Sequence, residues 1–168
     1  MTNMRLTVTC ISFLTALSLS LGGCSSAVPT PTSATPTFYQ SLTSDSASVD
    51  PVAARDMISV YRRNNGLPTL TIDPALQAEA RAQVDAMARA NEVSHTLRGS
   101  LASRVSRATA VENVSAGYHT LAEAFSGWRE SKPHNANMLN PQARRMGIAT
   151  AYVAGSKYKV FWALVMTD

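Results

Sequence analysis

A chain of 168 residues has room for one domain of ordinary size. Its net charge of +4, from 15 Lys and Arg against 11 Asp and Glu, is spread out in pairs such as Arg62-Arg63 and Arg144-Arg145. No basic stripe marks a nucleic-acid surface, although weak attraction to an anionic envelope fits the balance. The chain opens with a sparsely charged basic stretch, Met1 to Arg5, and an apolar run from Leu6 to Leu21 broken by Thr and Ser. A basic start, an apolar run of this length and small residues before a cut predict a secretory signal over residues 1–23, to be left out of fold reasoning. A membrane-spanning anchor is the competing reading, since the run approaches the length at which that begins. Its Ser/Thr content and small-residue end argue against it.

Leu21-Gly22-Gly23-Cys24 resembles the lipobox at which a precursor is cut and the new N-terminal cysteine is lipidated. Burial of acyl chains at roughly 0.8 kcal/mol per CH2 then anchors the protein. Cys10 lies in the signal and Cys24 is the only other cysteine, so the mature chain has no internal disulfide and depends on packing. Residues 24–49, rich in Ser, Thr, Pro and Ala, are expected to form a flexible tether, because so few large apolar side chains cannot offset the entropy of ordering. Phe38 and Tyr39 interrupt it.

The folded region, residues 50–168, is expected to start at Asp50-Pro51, an N-cap followed by proline at the first helical position. Met57, Val60, Tyr61 and Asn64 recur at helical spacing, and Gly66-Leu67-Pro68 makes a turn. Asp73-Pro74 repeats the start signal and opens the clearest helix, to about Asn91, with the apolar stripe Leu76, Ala80, Val84 and Met87. A short helix from Ser100 to about Arg107 and a strand from Ala110 to Ser115 follow. Thr120 to about Glu130 reads as a helix with Leu121, Ala124, Phe125 and Trp128 on one face, broken by Lys132-Pro133. Met146 to Val153 and Tyr158 to Met166 are β-rich runs flanking a hairpin signal at Ala154-Gly155-Ser156-Lys157. Helices first and a terminal hairpin predict an α+β domain.

Several fragments in this order resemble the CAP family, the cysteine-rich secretory, antigen 5 and pathogenesis-related 1 proteins, in its short bacterial form. They include Asn65-Gly66-Leu67-Pro68-Thr69-Leu70, Asp73-Pro74-Ala75-Leu76, Ser94-His95-Thr96, Glu112-Asn113-Val114, the run from Trp128 to His134, Asn137-Met138-Leu139-Asn140 and Phe161-Trp162. The resemblance implies a three-layer α-β-α sandwich ending in an antiparallel β-hairpin. It also implies a cleft in which His95, Glu112 and His134 hold three of the family's four positions. The second glutamate falls at Ser131, with Glu130 adjacent but differently directed on a helix; Ser59, Ala163 and Leu164 also stand where the family often has polar groups. His119 matches no family position and reads as an exposed loop residue.

Two imidazoles and a carboxylate could hold zinc or a similar divalent metal with one position open, or perform acid–base work near neutral pH. The separations along the chain are too long to prove that the three converge, and only the resemblance brings them together. No Gly-x-Ser-x-Gly elbow, His-Glu-x-x-His or Gly-rich phosphate loop is present. Trp128 and Trp162 read as core anchors. The favoured function is an envelope-anchored, monomeric CAP-domain lipoprotein that binds a lipid, a small molecule or a cell-wall component. Its membrane partner is reached through Cys24; in a two-membrane cell, Ser25 after that cysteine suits an outer membrane, facing the periplasm. The alternatives are a metal-assisted hydrolase, with the three cleft residues activating water, and a structural or interaction protein with a vestigial cleft.

Overall fold

The computed structural model describes residues 35–107 and 109–168, so the signal segment, Cys24 and the first part of the expected tether lie outside the described residues. The first helix, α1 (Pro51–Asn64), begins where the sequence predicts. The Asp50 side chain accepts from the amides of Val52 and Ala53, and proline occupies the first turn. The same device starts α2 (Pro74–Ala90), where Asp73 accepts from Ala75 and Leu76 and Asn91 ends the helix in a left-handed conformation. Between them lies a two-residue strand, β1 (Thr71–Ile72). A five-residue helix, α3 (Leu101–Val105), capped by Ser100, leads to β2 (Val111–Ala116). Thr120 caps α4 (Leu121–Glu130). After α4 the chain does not stay irregular: Lys132-Pro133 opens a further helix, α5 (Lys132–Met138). Proline in a first turn starts a helix as readily as it ends the preceding one. The hairpin of β3 (Arg145–Tyr152) and β4 (Val160–Thr167) completes the described chain.

The strands form one sheet in the order β1-β3-β4-β2, with β1 parallel to β3 and the other pairs antiparallel. β4 lies inside the sheet and every one of its residues is buried, so alternate side chains serve two cores. Val160, Trp162, Leu164 and Met166 pack with residues of α1, α4 and α5, while Phe161, Ala163 and Val165 pack with the predicted stripe of α2. This is a three-layer α-β-α arrangement. Ala163 and Leu164, where the family often has polar groups, are both core residues.

α2 approaches β3 closely at Gly147, where a β-carbon would come within 2.1 Å of the Leu76 carbonyl carbon. Because β1 is so short, most of the outer edge of β3 has no strand to pair with among the described residues. Side chains of α2 satisfy part of it instead: Gln77 donates to Ile148 O at 2.5 Å and accepts from Ile148 N at 3.1 Å, and Arg81 donates to Thr150 O at 2.7 Å.

One expectation is corrected. The segment before Asp50 is not a free tether over its described part. A 3-10 turn spans Thr37–Tyr39, Leu42 and Val49 are buried in the α1/α4/α5 core, and Phe38 and Ala47 pack against it. Leu42 N donates to His119 O at 2.8 Å, and Val49 N donates to Thr150 Oγ1 at 3.1 Å. A few well-placed apolar residues thus hold a segment whose average composition reads as disorder. On α1 the buried residues are Ala54, Ile58, Ser59 and Arg62, while Met57 and Tyr61 are partly buried against the same core.

Arg62 anchors that face of the helix. It is fully buried, has no carboxylate partner among the described residues, and its guanidinium donates to the carbonyls of Pro68 (2.9 Å), Met138 (2.8 Å), Asn140 (2.9 Å) and Ala143 (3.0 Å). The carbonyls of Met138 and Asn140 lie at the end of α5, where the helix dipole favours a cation. Burial, and secondarily the charge of Arg144, holds its pKa below the usual arginine value.

Candidate functional site

β2, the loop after α2, and α3 bring the chemistry-bearing groups together. Glu112 lies within β2, antiparallel to β4 and opposite Val165, which fixes its backbone. Its carboxylate is only 2% exposed and is held on both oxygens. His95 Nδ1 lies 2.8 Å from Oε2, and Arg104 Nη2 donates to Oε1 at 3.0 Å. The His95 side chain is 56% exposed, so one end of the pair is open to solvent and the other is enclosed.

Arg104 was not legible as a site residue. It is the enclosed part of α3, with a side chain only 5% exposed, and its Nη1 also donates to Glu79 Oε1. Arg98 Nη1 reaches the same Glu79 oxygen at 2.5 Å. Charges therefore alternate through Arg98, Glu79, Arg104 and Glu112, with His95 at the open end, joining α2, the following loop, α3 and β2. Arg104 Nε is buried without a hydrogen-bond partner.

His134, on α5, approaches this group without bonding to its acids. Its ring makes no hydrogen bond among the described residues, and Asn113 Nδ2 donates to its backbone carbonyl at 3.0 Å. Asn137 donates to Glu112 O and Asn113 Oδ1, both at 2.9 Å, and so ties α5 to β2. Partial burial first, and the neighbouring His95 second, lower the His134 pKa from its ordinary 6.5. Ser131 precedes α5 without a side-chain cap bond, and Glu130 is exposed on α4. His119 is exposed, as expected.

The metal expectation does not fit this geometry. Among the described residues no group of three or more His, Cys, Asp or Glu side chains is placed to hold an ion. Both oxygens of the one enclosed cleft carboxylate, Glu112, are already taken by an arginine and a histidine. Zinc needs three or four convergent donors, and the arrangement supplies a cation of its own instead.

Trp128 and Trp162 are fully buried, as expected of core anchors, and meet edge to face with centroids 6.1 Å apart. Their indole nitrogens donate to Ser115 Oγ (3.1 Å) and Tyr118 O (2.9 Å). Ser59 is buried and accepts from Leu70 N at 3.0 Å, so the position is used to hold the turn before β1.

A second feature lies apart from the histidines. Half-buried Met57 and Tyr61 and exposed Val60 of α1 line an open apolar groove of about 600 Å³, between α1, the 3-10 turn and α4. Phe38, Ala53, Met57, Val60, Tyr61 and Phe125 form its apolar wall. Tyr61 and Phe125 meet edge to face at 5.5 Å, and the Tyr61 hydroxyl donates to Asn135 Oδ1 at 2.9 Å. At the rim, Asp56 is paired with Arg55 at 2.6 Å. Arg129 lies 6.0 Å from the Phe125 ring centroid and has no carboxylate partner among the described residues. No helix among the described residues is long and apolar enough to cross a membrane.

Residues 55–166 match the model of the CAP, or cysteine-rich secretory protein, family. Over 100 residues the chain is 31% identical to the uncharacterized protein YkwD of Bacillus subtilis (strain 168), a match that takes in 55% of this chain and 39% of that protein. The fold is similar to an extracellular protein containing an SCP domain from Bacillus anthracis str. Ames, at 24% identity and a TM-score of 0.61, over 70% of this chain and 40% of that one. It is also similar to an outer surface protein from Borrelia burgdorferi, at 18% identity and a TM-score of 0.63, over 70% of this chain and 90% of that one. At these identities the solved structures speak to the fold alone.

Proposed function

The chain belongs to the CAP family, and from that premise we propose that it is an extracytoplasmic binding module, tethered through a lipidated Cys24, that takes a small amphiphilic ligand with a single apolar chain. The observation that carries the reading is the groove along α1. Its volume falls in the range of small-molecule sites, its wall is aliphatic and aromatic, and few polar groups stand at its edge. A surface helix ordinarily turns its apolar stripe inward; here Met57, Val60 and Tyr61 line the groove, with Val60 46% exposed. Arg129 at the rim suits an anionic head group, because Asp56 is already matched by Arg55.

The cleft does not favour the hydrolase reading. Both Glu112 oxygens are already engaged, by Arg104 and His95, and the His134 ring is not joined to the pair.

Calorimetric titration of the full chain with palmitate tests the proposal. Saturable binding should weaken at least about tenfold, or 1.4 kcal/mol, in Val60→Asp, which places a carboxylate in the apolar wall, and should be unaffected by His95→Ala. Equal affinity in Val60→Asp, or no binding by the wild type, would overturn the groove as the ligand site. The anchor is tested separately by Cys24→Ser. Loss of membrane partitioning is expected, and retained partitioning would exclude lipidation there.

A further inference from the structure

We infer that Arg104 is the resident cation of the His95–Glu112 cleft, and that the cleft is for this reason closed to divalent metal. Glu112 offers two oxygens, one taken by Arg104 at 3.0 Å and the other by His95 at 2.8 Å. A zinc ion bound at ordinary bond lengths must displace one of these partners or share the carboxylate with a guanidinium. Sharing sets a double positive charge one carboxylate's width from a single one, in surroundings too enclosed for water to screen the repulsion fully. Displacing Arg104 leaves a buried guanidinium without its Glu112 partner, which is the costly way to break an enclosed ion pair.

Arg104 also has nowhere else to go. Its side chain is 5% exposed, and its other terminal nitrogen is bonded to Glu79. α3 has no fully buried residue, and Leu101 and Val105 only pack partly against the α2 core. The arginine is therefore the deepest hold that the helix has on the domain. Glu79 carries Arg98 and Arg104 on its Oε1, so its charge is already matched. The alternation of two arginines and two glutamates leaves no surplus negative charge to draw a cation in. Fixed donors of this kind orient a carboxylate as a metal would, while the half-exposed His95 remains free to meet solvent or a ligand.

The test is a zinc titration of the full chain by calorimetry, beside the double variant Glu79→Gln/Arg104→Gln. That variant removes one carboxylate with one guanidinium, so the charge balance is kept while Glu112 Oε1 is released. The wild type is expected to take up no stoichiometric zinc at micromolar concentrations. The double variant should bind one ion at least tenfold more tightly than the wild type, and adding His95→Ala should abolish the gain. One-to-one binding by the wild type that His95→Ala removes would overturn the inference. So would a folded double variant that binds zinc no better than the wild type. Should the double variant fail to fold, Arg104→Lys provides the reading through its Tm. Its ammonium keeps the positive charge, so zinc must leave the Tm unmoved, and a zinc-dependent rise that His95→Ala removes would overturn the role assigned to Arg104.

Discussion

Replacing Leu42 by Ala separates a packed N-terminal segment from a tether. Leu42 is 6% exposed, sits in the core cluster with Ile58, Trp128 and Trp162, and its amide bonds to His119 O. A buried Leu→Ala change costs about 2–5 kcal/mol, depending on how far the site relaxes. At the edge of the domain, where the segment can settle into the space left behind, the lower half of that range applies, about 2–3 kcal/mol. For a domain of this size that lowers Tm by roughly 6–15 °C. The same substitution in a free tether would stay within about 0.5 kcal/mol. The assay is urea and thermal unfolding of the full chain followed by circular dichroism, with exposed Ser41→Ala as the matched control. An unchanged urea slope is expected, since the surface exposed on unfolding is almost the same. A Leu42→Ala midpoint within about 1 °C of the control would refute the packing of this segment.

Arg62→Met should destabilise the domain by about 3–5 kcal/mol, because it leaves the four carbonyls of Pro68, Met138, Asn140 and Ala143 without their donor. Equilibrium denaturation measures this, and a loss under about 1 kcal/mol would mean that water replaces the guanidinium there. His134 makes stability depend on pH. Its folded pKa lies below the ordinary 6.5, so the native state holds fewer protons than the unfolded one just beneath that value. Stability therefore rises with pH through that window and is lost as pH falls through it. Urea midpoints taken between about pH 5 and 7.5 should show a shallower slope in His134→Gln than in the wild type. Parallel slopes would show that the ring is as well solvated folded as unfolded.

The two Asp-Pro starts and the Thr120 cap were legible because each is a local hydrogen-bonding device whose parts are adjacent in sequence. The hairpin and the α2 stripe were legible for the same reason, since their periodicities are set within one element. What the sequence hid was long-range. Leu42 and Val49 are isolated apolar residues in a polar segment, and nothing local says that a core waits for them. The buried face of α1 was not legible because Arg62, a charged residue, points inward toward carbonyls that lie about 6 to 81 positions away along the chain, while apolar Val60 points outward. The candidate site shows the same division. His95 and Glu112 were found through family resemblance and do meet, but Arg104 carries no motif. Its role depends on α3, α2 and β2 closing on one another. His134 lies near the pair without completing a ligand set.

The position of β4 governs the order of assembly. Because β4 separates β3 from β2, β2 has no partner in the sheet until residues 160–167 are in place. Both hydrophobic layers draw on that strand's alternate faces, so neither can close earlier. The chain thus commits late: local helices can form first, but the cooperative step waits for pairings some 50 residues apart between Val111 and Met166 or Ala116 and Phe161. Whether it emerges from a ribosome or through a narrow channel, this domain stays a thread until β4 arrives and only then becomes a body.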